Sequence, residues 1–133
     1  MTVPITTFYA ALLGVLLLYL SLLVVARRRE FGIGIGDGGE KHLQQDMRVH
    51  GNFIEYVPFT LVLLLLAELN HMPTWFLHTA GVVLLLSRLM HAYGLRHHHG
   101  YSWQRFYGTL LTFVTLAALI VANLLPFYDQ LFL

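Results

Sequence analysis

Three stretches of this chain, residues 1–26, 69–87 and 106–128, contain no Asp, Glu, Lys or Arg. Runs of that kind restrict the fold more than any other feature of the sequence. A soluble domain carries about 25% charged residues, enough to cover a water-facing surface. Here the share is 11%, against 57% hydrophobic. An apolar run of about 20 residues matches the ~30 Å hydrocarbon core of a bilayer at a helical rise of ~1.5 Å per residue. The charge-free runs therefore predict transmembrane helices, and 133 residues leave no room for a second domain beside them.

Four spans emerge, over residues 4–25, 43–69, 73–95 and 103–126. Short links, Asn70-His71-Met72 and the stretch from Leu95 to Ser102, separate the last three. Links this short favour antiparallel neighbours and predict an all-α, up-down-up-down four-helix bundle in one membrane domain, 1–133. Arg27, Arg28, Arg29, Lys41 and Arg48 flank the first loop, and Arg96 and Arg105 flank the third. That bias predicts cytoplasmic basic loops, with both termini on the non-cytoplasmic side. The first span has no basic segment before it and three arginines after it, so it reads as a retained anchor and not a cleaved signal. With no cysteine, disulfides, thiolate zinc sites and cysteine nucleophiles are excluded, and any thiol must come from a ligand.

The second span opens with Arg48-Val-His-Gly-Asn52-Phe-Ile-Glu55-Tyr-Val-Pro58. Arg48, Asn52 and Glu55 follow an i, i+4, i+7 spacing that puts them on one helical face. Charged groups at the centre of a membrane helix cost roughly 2.5–3.5 kcal/mol each and persist only with partners or a polar cavity. Glu55 lies about 10 Å into the span from Arg48; Arg88 and His91 lie about 12 Å and 7.5 Å before Arg96 on the returning span. All three therefore fall at similar depth. A Glu55–Arg88 ion pair that pins two helices explains part of this. A pocket for an anionic ligand, with Arg48, Asn52, His91 and Arg105 around the pair, explains more of it and is preferred. Arg105 opens the fourth span, where snorkelling to headgroups is the ordinary role. Turned inward, it would stabilise a bound thiolate.

Other motifs read as structural. Gly34-Ile-Gly36-Asp-Gly38-Gly39 has the form GxGxxG, but no strand precedes it and no βαβ unit can follow, so a flexible loop is expected. His97-His98-His99 lacks a further ligand at defined spacing and reads as an interfacial loop with no metal site. His78 is expected to pack against a neighbouring helix. Tyr93, Tyr101, Trp103 and Tyr107 stand where interfacial aromatic belts occur, and Pro58 is a candidate kink.

The motif Arg48-xxx-Asn52-xx-Glu55-Tyr-Val-Pro58, the chain length, the four spans and the basic end of the first span resemble the MAPEG superfamily, the membrane-associated proteins of eicosanoid and glutathione metabolism. The likeness covers nearly the whole chain and is strongest to small bacterial inner-membrane members. It implies a homotrimer with glutathione bound between subunits near the cytoplasmic leaflet. It also implies ligand contacts from Arg48, Asn52 and Glu55. Arg88 and His91 match a third-helix Arg-xx-His, Arg27 matches a first-helix arginine, and Arg105 is the counterpart of the thiol-activating arginine. Gly51 and Leu95 replace a basic residue and a tyrosine of the prostaglandin branch, which points away from an eicosanoid substrate.

The expected function is therefore a glutathione-dependent membrane transferase or peroxidase whose lipophilic substrate arrives from membrane lipid. Two alternatives stand beside it. The superfamily contains a lipoxygenase-activating member that binds lipid without chemistry, so a non-catalytic lipid- or glutathione-binding protein is open. A purely structural bundle is the third.

Overall fold

The computed structural model describes residues 2–98 and 100–132, with side chains described for all of these except 127 and 129–132. Four helices account for nearly all of them: α1 (Pro4–Phe31), α2 (Lys41–Leu69), α3 (Thr74–His97) and α4 (Trp103–Phe132). Each is long and apolar enough to cross a membrane. Two helices run past the expected limits. α1 continues through the arginines and stops at Gly32, whose φ of 65° lies in the left-handed region that glycine adopts freely. α4 runs through Pro126 to Phe132; a proline removes its own N–H bond, but the other backbone bonds of the turn survive. Pro58 likewise stays inside α2.

The helices pack antiparallel in sequence order, as the short links predict. Their contacts pair α2 with each of the other three and α3 with each of the other three, while among the described residues the backbones of α1 and α4 do not approach each other. The central pair α2/α3 therefore carries α1 on one side and α4 on the other. Leu13, Leu16 and Leu20 of α1 bury against Val49, Phe53 and Val57 of α2 and Leu84 and Ala92 of α3. At the opposite end, Leu64 and Ala67 of α2 meet Leu77 and Ala80 of α3 and Leu119 of α4. Large apolar side chains such as Val15, Leu18, Phe59 and Val121 face outward, as lipid-facing positions should.

Glycine sets the α3–α4 distance. A Cβ on Gly108 would fall 2.7 Å from the Ser87 carbonyl oxygen and 2.8 Å from the His91 nitrogen; one on Gly94 would fall 2.7 Å from the Arg105 nitrogen. Only a missing side chain lets the two backbones approach this closely. The same approach brings the first turn of α4 beside the polar end of α3.

α1 is tied down at both ends. Its N-cap, Val3, has no side chain to offer the free N–H groups of the first turn. The Glu68 carboxylate of α2 takes them instead, accepting from Ile5 N at 2.9 Å and Thr6 N at 2.7 Å. A carboxylate there also complements the positive end of the helix dipole. One turn on, Tyr9 Oη meets His78 Nδ1 at 3.1 Å, so His78 packs against α1 as expected. At the other end, Asp46 of α2 is 4% exposed and receives Arg27 Nε at 3.1 Å on one oxygen and Arg96 Nε at 3.2 Å on the other. One carboxylate thus joins three helices.

The first loop is as glycine-rich as expected. Gly36, Gly38 and Gly39 all have positive φ, and the Arg28 guanidinium donates to the carbonyls of Ile33 and Gly36. His97 and His98 reach back to the Tyr93 and Gly94 carbonyls, satisfying the open end of α3. His99 lies outside the described residues.

A polar pocket between the second, third and fourth helices

Arg88 is the largest fully buried side chain of the chain's described residues, 2% exposed. Its Nη2 donates to Asn52 Oδ1 at 2.7 Å and approaches His91 Nδ1 at 3.2 Å; its Nη1 lies 3.4 Å from Thr112 Oγ1. Thr112 in turn sits 3.0 Å from Ser87 Oγ and donates to the Gly108 carbonyl. These side chains form one polar layer across α2, α3 and α4. No carboxylate belongs to it: the described ion pairs lie elsewhere, and Arg88 Nε is buried without a partner among the described residues. A cation held only by neutral dipoles retains much of its desolvation penalty, which is several kcal/mol per buried ion.

The geometry also sets the His91 tautomer. A guanidinium has no acceptor, so Nδ1 of His91 must accept from Arg88, and neutral imidazole then carries its proton on Nε2.

Next to this layer lies a pocket of about 210 Å³ lined by Gln44, Gln45, Arg48, Asn52, His91, Leu95 and Arg105. Asn52 and His91 are shared between layer and pocket, so Arg88 stands directly behind the pocket wall. Ser102 positions Arg105: its buried hydroxyl accepts from the Arg105 N–H at 3.1 Å, the N-cap arrangement that starts α4.

The structure thus brings four of the expected residues, Arg48, Asn52, His91 and Arg105, to one pocket and puts Arg88 against two of them. One expected pairing needs correction. Glu55 does not reach Arg88. It pairs with Arg48 at 3.5 Å, with the two side chains 51% and 60% exposed. Seven residues turn a helix by about −20°, so 48 and 55 share a line, while 55 is rotated by about 60° from Asn52 and away from α3. Arg27 does not line this pocket within the single chain. It is held by Asp46 and by Glu30, the latter at 2.9 Å.

Sequence reasoning missed Gln44 and Gln45 at the pocket, Thr112 behind it and Asp46 in the neighbouring clamp. Gln44 continues the 48, 52 face one turn earlier, a signal present in the spacing. Thr112 follows Gly108 by four and opposes Ser87, visible only once α3 and α4 are paired. Asp46 stands about 200° around α2 from Arg48, and nothing in the motif marks it.

Comparisons with known proteins agree with this architecture. Residues 6–125 match the model of the MAPEG family. The chain is 42% identical over 120 residues, 90% of each chain, to the inner membrane protein YecN of Escherichia coli strain K12. The same identity and coverage hold for YecN of Escherichia coli O6:H1.

Proposed function

Because the chain belongs to the MAPEG family, we propose that it is a glutathione-dependent membrane transferase or peroxidase acting on lipophilic electrophiles dissolved in the bilayer. One observation supports this above others: Arg88 is buried without a counter-ion among the described residues, behind a pocket that Arg48 and Arg105 line. Against three guanidinium groups stands one half-exposed carboxylate, Glu55. An anionic ligand would relieve the cost of that excess charge. Glutathione is such an anion, with two carboxylates and one ammonium group, and the donor set fits it.

Bound glutathione supplies a thiol whose thiolate is the nucleophile. The chain's own residues hold and tune it. Arg48 and the Gln44 and Gln45 amides take the carboxylates, and Glu55 accepts from the ammonium group. Arg88 occupies the Asn52 amide oxygen, which leaves the Asn52 NH₂ free to donate. It also holds His91 as the Nε2–H tautomer, a further neutral donor. Arg105 lowers the pKa of the thiol and stabilises the anion in a site poor in water. Arg27 is assigned to the Asp46 clamp and not to the ligand.

The pocket volume, about 210 Å³, falls below the ~300 Å³ at which small-molecule sites usually begin. A second chain completes the site in this reading, as a homotrimer with glutathione between subunits would. The protein lies in the bacterial inner membrane, with its basic loops cytoplasmic and both termini on the opposite side.

The test is conjugation of a chlorinated nitroaromatic with glutathione by the purified protein in detergent. Turnover well above that of the Arg105→Ala variant is expected. Equal rates for the two proteins would remove the catalytic reading. A glutathione-induced thermal shift in the wild type that Arg48→Ala loses would then leave a binding protein.

A further inference from the structure

A second cavity, of about 510 Å³, opens on the other face of α3, between α3 and α1, and reaches the first turn of α4 at Gln104. Its floor is apolar, formed by Leu16 and Leu20 of α1 and by Leu89 and Ala92 of α3, and its mouth carries Arg96, Tyr19, His97 and Gln104. The floor runs about 10 Å into the membrane from the mouth, seven residues of helix from Arg96 to Leu89. The mouth lies at the end of the bundle that carries the basic loops. This is a polar head over an apolar shaft, and the polar pocket of α2, α3 and α4 shares none of it.

We propose that this groove is a binding site for one anionic phospholipid, a phosphatidylglycerol, of the leaflet next to the basic loops. Three features identify the occupant. Arg96 spends its Nε on Asp46 and its Nη1 on Tyr19 Oη, at 3.1 Å, and its Nη2 has no partner among the described residues. That nitrogen is a fixed donor at headgroup height for a phosphate. Gln104 lines the same mouth, and its Oε1 is buried with no partner among the described residues; an unsatisfied acceptor there suits a head that joins a phosphate to hydroxyl donors. Tyr93 and His97 stack at 4.2 Å, 23° apart, and both line the groove, so its rim is a braced wall. A free anion would leave the apolar floor unused, and an uncharged lipophile would leave Arg96 and Gln104 unsatisfied.

The proposal is independent of the glutathione reading and is tested without it. The full-length protein is reconstituted in nanodiscs of mixed phosphatidylglycerol and phosphatidylcholine, then released into mild detergent, and bound lipids are counted by native mass spectrometry. One retained phosphatidylglycerol per chain is expected, over phosphatidylcholine. Arg96→Gln should reduce that preference about fivefold, the effect of one basic residue at a membrane surface. Because Arg96 also holds Asp46, a second variant separates the roles: Leu89→Trp fills the floor from a side chain that is 45% exposed and leaves the Arg96–Asp46 bond in place. It should lose the retained lipid while keeping the wild-type unfolding midpoint. Equal retention of both lipids by the wild type, or unchanged phosphatidylglycerol retention by Leu89→Trp, would overturn the assignment and leave only ordinary boundary lipid.

Discussion

Arg27→Gln distinguishes a clamp from a ligand contact. In the wild type the side chain makes two bonds: one to Asp46, a carboxylate 4% exposed, and one to Glu30, 57% exposed. A charge-assisted bond of the first kind contributes roughly 1.5–3 kcal/mol. The exposed i, i+3 pair contributes about 0.3–0.5 kcal/mol. Arg27 itself is 28% exposed, so water at the membrane surface recovers part of the loss, and Asp46 keeps Arg96. The expected net destabilisation is about 1.5 kcal/mol, read from thermal unfolding in detergent. The second readout is glutathione. At a hundredfold excess over Kd, a single-site ligand stabilises by about 2.7 kcal/mol, and Arg27→Gln should retain that increment in full. A variant with wild-type stability and no glutathione shift would refute the clamp and return Arg27 to the ligand.

Four further substitutions probe the architecture. Asn52→Ala should destabilise more than Arg88→Met, because the first takes from a buried cation its shortest hydrogen bond, at a cost of about 3 kcal/mol, while the second removes the charge altogether; chemical denaturation of the two variants decides the order. Glu68→Gln leaves the first turn of α1 with a neutral cap, so a loss of about 1 kcal/mol is expected. Faster hydrogen exchange at the Ile5 and Thr6 amides should report it, and unchanged exchange would contradict the capping role. Gly108→Ala places a methyl against the backbone of Ser87 and His91, which should cost about 1–3 kcal/mol and weaken glutathione binding by moving Arg105 away from His91. Retained binding with lowered stability would show that the pocket tolerates a wider α3–α4 spacing.

The fold was almost wholly legible because charge-free runs, short links and flanking arginines are local signals. Span number and antiparallel order follow from them, and so does the loop character of the glycine-rich segment. The site was legible in part. Helical spacing brought Arg48 and Asn52 together, and depth placed Arg88 and His91 opposite them. Depth alone could not tell that Glu55 is turned about 60° away from Asn52, because pairing across helices depends on rotation about each axis as well as height. Within the single chain Arg27 stands apart from this pocket, beside Asp46. Its partner Asp46 sits outside the motif, on a face of α2 that becomes visible only when α1 and α3 are docked on it. Arg96, read only as a marker of orientation, turned out to complete that docking.

Among the described residues the backbones of α1 and α4 do not approach each other, and this has a mechanical result. The second and third helices act as a keel, with the first and last lashed to opposite flanks like outriggers. Arg105 rides on one outrigger, whereas Arg88 and Asn52 belong to the keel. A tilt of the last helix would change the spacing of these guanidinium groups while both moorings of the first helix stayed fast.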